Sequence, residues 1–173
     1  MRHDNILGLV GALLSLLVCI LALPLRLPGM TLMDIAPNWL LIWLVTWSLN
    51  RPVLIAIATG IALGLLQDGM TITDSQALIP THTIGLAIAA GLTALLQKQR
   101  YIQEDFISVA LIVFGMAVLV ETIIAIQLSL FGWSLDQVWM LHQRIALTSA
   151  ILSSLWSPAL HFPMSRFWRW LDK

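Results

Sequence analysis

Six long apolar stretches alternate with short polar segments along the 173-residue chain. A helix needs about 20 apolar residues to cross the roughly 30 Å of bilayer hydrocarbon, and most of the stretches reach or approach that length. The pattern predicts an all-α integral membrane protein, a bundle of six transmembrane helices in a single polytopic domain over residues 1–173. The predicted spans cover approximately residues 6–23, 37–49, 53–66, 78–96, 106–131 and 138–160.

The second and third stretches are shorter than the others. They either extend into their flanking residues to cross the bilayer or form a thin re-entrant hairpin. Asn50, Arg51 and Pro52 make a polar turn between them, and proline suits the first turn of a new helix. We therefore expect two separate spans.

Composition agrees with the membrane class. Hydrophobic residues make up 59% of the chain, charged residues 10%, and mean hydropathy is +0.90. A water-soluble domain carries far more charge than this. The net charge is zero and no basic cluster occurs, so we expect no nucleic-acid partner. The single Cys19 excludes a disulfide within one chain.

Basic residues are distributed unequally between the predicted sides of the membrane. Of the nine Lys and Arg residues, seven fall on the side that holds both termini, Arg26 falls on the other side, and Arg144 lies within the sixth span. Because basic residues favour the cytoplasmic side, both termini should be cytoplasmic. Residues 162–173 alternate aromatic and basic side chains after Pro163, which predicts a cytoplasmic tail lying in the membrane interface.

Small residues recur every four positions in the third stretch, at Ala56, Gly60 and Gly64. Such spacing lets two helix backbones approach closely. Gly85 begins a similar series in the fourth stretch and Ser149 another in the sixth, so spans three, four and six should form the packed interior. The tryptophans of the second stretch either pack against neighbouring helices or offer a flat surface to a partner; they are Trp39, Trp43 and Trp47.

Ionisable side chains occur within the last two predicted spans. Such residues are costly in lipid and are site candidates by default. Glu121 and Arg144 differ in predicted depth by only ~6 Å on antiparallel helices. We expect them to form an ion pair, with Gln127 and Gln143 as a neighbouring amide pair. The alternative is a polar cavity, open to the outside, for a ligand or a partner's side chain.

Catalysis finds no support in the sequence patterns. No nucleophile elbow, paired-carboxylate site or H-E-x-x-H motif occurs, and His82 has no second ligand one helical turn away. We expect no catalytic residue, cofactor or metal site, and the protein is predicted not to be an enzyme.

Three short motifs occur in a fixed order. Pro37 and Asn38 open the second span, a segment from Gly64 to Asp68 ends the third, and Thr83 to Leu86, with Gly85, enters the fourth. This order resembles the bacterial rod shape-determining MreD family, in which the position of Asn38 is often aspartate. We expect Asp68 to accept hydrogen bonds from the backbone N–H groups that begin span four.

The resemblance implies a non-enzymatic scaffold of the cell-wall elongation machinery in the bacterial plasma (inner) membrane. Such a protein binds MreC and sits with MreB, RodA and a class B penicillin-binding protein, surrounded by membrane lipid and without a small-molecule ligand. The family's fold is similar to that of energy-coupling-factor transporter S-components. A substrate-binding S-component of a vitamin transporter is therefore the alternative function.

Overall fold

A computed structural model describes residues 2–23, 31, 35–71, 80–98 and 105–171. The regular elements in these ranges are six helices, so the chain is an all-α membrane protein. The loop around Arg26 and the start of the predicted fourth span at residues 78 and 79 lie outside the described residues. The helices are α1 (Arg2–Ala22), α2 (Trp39–Ser48), α3 (Val53–Thr71), α4 (Thr81–Lys98), α5 (Phe106–Leu130) and α6 (Leu135–Leu171).

Within the described residues, three helices are long and apolar enough to cross a membrane. They are α3, α5 and, within α6, the stretch Val138–Phe167. The apolar parts of the other three are shorter: Val10–Ala22, Trp39–Ser48 and Thr81–Leu96. The crossing of all six stretches remains a prediction.

The short helix α2 forms the centre of the bundle and contacts all five other helices. Nine of its ten residues are buried. A helix that is apolar on all sides must be covered by protein or by lipid, and the burial of α2 shows that the other helices cover it. At ~1.5 Å per residue its length is about half of the hydrocarbon thickness. The small residues expected to pack in spans three, four and six are buried, among them Gly60, Thr93 and Ser153, but that expectation left out α2, which occupies the centre.

Tryptophans of α2 pack inside the protein. The Trp39 ring meets the edge of Trp156 on α6 at a centroid distance of 5.6 Å. Trp43 stacks on Trp47 at 5.4 Å, and its Nε1 donates a hydrogen bond to the Ser15 hydroxyl at 2.9 Å. Of the two alternatives for these tryptophans, packing against neighbouring helices is the one observed.

Helix α3 continues beyond its predicted end at residue 66. It runs through Asp68 to Thr71, so the acid lies within the helix and is buried. The Thr71 hydroxyl donates to the Gln67 carbonyl at 3.0 Å, which satisfies an acceptor in the last turn. The apolar run ends at residue 66, but hydrogen bonding carries the helix one turn further.

Helix α6 also exceeds its prediction and includes Pro158 and Pro163. Proline in a helix removes one backbone N–H donor and leaves the carbonyl four residues earlier without its partner. For Pro158 that carbonyl belongs to Ser154, and the Ser157 hydroxyl donates to it at 2.8 Å. Met164 beyond the second proline is buried, so packing also holds the helix together. The interfacial position of residues 162–173 remains a prediction.

Candidate functional site

The Asp68 carboxylate connects the end of α3 to the start of α4. Its Oδ1 accepts the backbone N–H of His82 at 2.9 Å, and its Oδ2 accepts the backbone N–H of Thr83 at 3.1 Å. These are two of the four N–H groups that a helix start leaves without an intrahelical acceptor. The predicted hydrogen bonds are therefore present, and a residue on one helix caps the next.

Side chains of α4 surround the same carboxylate. The Thr83 hydroxyl donates to Oδ2 at 2.7 Å, and the Thr81 hydroxyl to Oδ1 at 3.3 Å. His82 Nδ1 lies 2.8 Å from Oδ1. A carboxylate with this many donors is held in one orientation, and hydrogen bonds to a charged group are the stronger kind. Sequence reasoning missed the roles of Thr81, His82 and Thr83, although three polar side chains in the first turn of a predicted membrane helix could have indicated a polar partner.

Glycines let α3 and α4 approach backbone to backbone. A Cβ added to Gly60 would lie 2.7 Å from the Leu86 carbonyl oxygen. One added to Gly64 would collide with the Thr83 backbone, and one added to Gly85 would lie 3.0 Å from Val120 Cγ1 on α5. Gly64 therefore brings α3 close enough for Asp68, one turn later, to reach the N-terminus of α4.

Pro37 and Asn38, the first of the three sequence motifs, directly precede α2. Pro37 is buried, and the Asn38 side chain accepts the Leu41 backbone N–H at 3.1 Å as an N-cap. The Asn38 backbone N–H donates to the Ser153 hydroxyl of α6 at 3.0 Å. Neither contact needs a negative charge, so asparagine serves here as well as aspartate.

These motif residues therefore define how α2, α3 and α4 begin, approach and end. The chain matches the family described as rod shape-determining protein MreD over residues 3–171. It belongs to the MreD family. No curated protein and no solved structure matches the chain, so the similarity to energy-coupling-factor S-components stays an expectation.

In this MreD-family chain, Glu121 on α5 does not face Arg144. Its Oε2 lies 3.4 Å from His142 Nδ1, within ion-pair distance but without hydrogen-bond geometry. Arg144 is exposed. The expected Glu121–Arg144 pair is wrong because residues two apart on a helix point about 200° away from each other.

The expected amide pair between Gln127 and Gln143 is also wrong. Gln143 is exposed, whereas the side-chain nitrogen and oxygen of Gln127 are both buried without a hydrogen-bond partner. The described residues thus bring together Asp68 with the start of α4, and Gly60, Gly64 and Gly85 with neighbouring helices. Arg144 is not in contact with Glu121, the acid that was predicted to neutralise it.

Proposed function

We propose that this MreD-family protein is a non-enzymatic scaffold of the bacterial cell-wall elongation machinery that binds MreC. Family membership carries a role in rod-shape determination. The observation that supports a scaffold is that the family-motif residues make structural contacts between helices or at helix ends. Asn38 caps α2, Gly64 allows α4 to pack closely on α3, and Asp68 caps α4. Each stabilises the relative position of two segments, as a protein that orients partners in the membrane requires.

The proposed setting is the bacterial inner membrane, with both termini in the cytoplasm. Seven of nine basic residues on the terminal side support this orientation. MreB, RodA and a class B penicillin-binding protein are the further partners proposed for the assembly. We propose no cofactor and no small-molecule ligand.

The test uses a rod-shaped bacterium whose own MreD gene has been deleted. The tagged wild-type chain should restore rod shape, and MreC should co-purify with it from solubilised membranes. Gly64→Leu separates α3 from α4 and should lose both results, whereas Gly115→Ala, at a site open to added bulk, should keep both.

Rescue of shape without recovery of MreC would refute MreC binding while leaving the shape role intact. Failure of the abundant wild-type chain to rescue shape would refute the proposed function in that host. A vitamin-sized molecule that co-purifies in stoichiometric amount would instead favour the S-component alternative.

A further inference from the structure

The exposed side of α6 carries two opposite charges. Asp136 in the first turn and Arg144 two turns later are both exposed. Met140 lies between them and is 71% exposed. Side chains at intervals of four residues share one side of a helix, so the acid and the base project from the same surface.

Neither charge is neutralised within the part of the chain that the structure describes. The acid nearest in predicted depth to Arg144 was Glu121, and that carboxylate lies against His142. No ion pair joins Asp136 or Arg144 to another described residue. An arginine on the lipid-facing side of a membrane helix is costly unless its surroundings supply the counter-charge.

The depth of these residues indicates what the surroundings are. The apolar stretch of α6 begins at Val138, so Asp136 precedes it and Arg144 lies ~9 Å inside. Trp139 is 69% exposed, and Trp133 in the preceding turn is 56% exposed. Exposed tryptophans typically lie at the level of lipid headgroups. Helical side chains lean toward the N-terminus, so a long arginine at position 144 can reach that level.

We propose that this surface binds the headgroup of an aminophospholipid, phosphatidylethanolamine, with its phosphate on Arg144 and its primary ammonium on Asp136. The guanidinium can donate two parallel hydrogen bonds to a phosphate. In this lipid the phosphate is attached nearer to the acyl chains than the ammonium, which matches Arg144 lying deeper than Asp136. The two Cα atoms are ~12 Å apart along the helix, and the long arginine side chain brings its guanidinium closer to the Asp136 carboxylate than that.

The acid decides between headgroups. Phosphatidylglycerol could place its phosphate on Arg144, but it has no cation for Asp136. Phosphatidylcholine has a cation, but its quaternary nitrogen has no N–H to donate. Only a primary ammonium satisfies the carboxylate by both charge and hydrogen bonding, so the surface should select phosphatidylethanolamine over both.

The experiment measures lipid retention by the purified full-length chain. The protein is delipidated in detergent and incubated with equal amounts of the three lipids carrying identical acyl chains. Native mass spectrometry then measures how much of each lipid stays bound. Wild type should retain phosphatidylethanolamine roughly tenfold over phosphatidylcholine, as hydrogen bonds to charged groups imply. Arg144→Gln should lose most retention of all three lipids. Asp136→Asn should lower the retention of phosphatidylethanolamine to that of phosphatidylcholine.

Two further variants separate this site from general charge effects. Arg166→Gln removes an exposed arginine near the other end of α6 and should change nothing. The double reversal Asp136→Lys with Arg144→Glu preserves net charge but inverts the order, so the preference should disappear. Thermal unfolding of each variant confirms that it remains folded.

Equal retention of the three lipids by wild type, or unchanged retention by Arg144→Gln, would overturn the proposal. So would a preference for phosphatidylglycerol, because an anionic lipid leaves Asp136 without a role. If Arg144→Gln instead releases a membrane protein from the purified chain and leaves lipid retention intact, the surface is a protein contact and the proposal is wrong.

Discussion

The Asp68 carboxylate of α3 accepts the backbone N–H of Thr83 at 3.1 Å, so an acid at the end of one helix caps the beginning of the next. The same carboxylate accepts the His82 backbone N–H at 2.9 Å. Asp68 is buried, so water has little access to replace these hydrogen bonds, and a buried backbone N–H group without an acceptor is costly. The start of α4 therefore depends on a buried side chain that belongs to α3, the helix before it.

Asp68→Ala should lower the free energy of unfolding by about 2 kcal/mol, since loss of a helix cap typically costs about 0.5–2 kcal/mol. Asp68→Asn should cost less, because one oxygen remains as an acceptor. Thermal unfolding in detergent and protein abundance in membranes measure both. The matched control is Asp105→Ala, because Asp105 precedes α5 but its side chain makes no capping hydrogen bond. Equal stability of all three variants would show that the cap contributes nothing.

Gly60→Ala should destabilise the protein by ~1–3 kcal/mol, because the added Cβ would lie 2.7 Å from the Leu86 carbonyl oxygen. Gly115→Ala is the control, since no atom lies within 4 Å of its added Cβ and alanine is the better helix former. Abundance in membranes and the unfolding midpoint measure the difference. A stable Gly60→Ala protein would contradict the observed backbone approach.

Ser153→Ala should destabilise the protein by about 1–3 kcal/mol, because it leaves the Asn38 backbone N–H without its acceptor. The neighbouring Ser154→Ala is the control: that hydroxyl is more exposed and donates only to the Ile151 carbonyl of its own helix. The comparison is made by unfolding in detergent. Equal effects of the two changes would indicate that the link between α2 and α6 is dispensable.

Glu121 and His142 should show energetic coupling of about 0.5–3 kcal/mol in a double-mutant cycle with Glu121→Gln and His142→Asn. Their closest ionisable atoms are 3.4 Å apart. The parallel cycle of Glu121→Gln with Arg144→Gln should be additive, because Arg144 faces away. Unfolding free energies of the single and double variants measure both cycles. Strong coupling between Glu121 and Arg144, with none between Glu121 and His142, would contradict the observed contact and support the pair expected from the sequence.

Reporter fusions should place Arg51, Lys98 and Lys173 in the cytoplasm, and Thr71 and Ser134 outside. The expectation follows from the unequal distribution of basic residues. Alkaline phosphatase activity and fluorescence of a cytoplasm-dependent reporter are measured for each fusion. A C-terminal reporter that is active outside would refute the six-span topology.

The sequence by itself determined the class of protein, the number of helices and several contacts. Apolar length predicts membrane helices, because uncharged stretches of this size have no other stable environment. Spacing of Gly60 and Gly64 predicts close approach, and Asp68 before a helix start predicts capping. Each of these inferences depends on a local signal in the sequence: the length of an apolar run, the spacing of small residues along one helix, or an acid shortly before a helix start.

Tertiary structure decided which helix is central and which faces meet. Helix α2 is short by its sequence but is the most enclosed, because burial depends on the neighbours that surround it. The partner of Glu121 is His142 rather than Arg144, since the rotation of α6 about its axis is set by packing along its whole length. Depth along a helix can be counted from a sequence, whereas its rotation toward a neighbour depends on contacts with all the other helices.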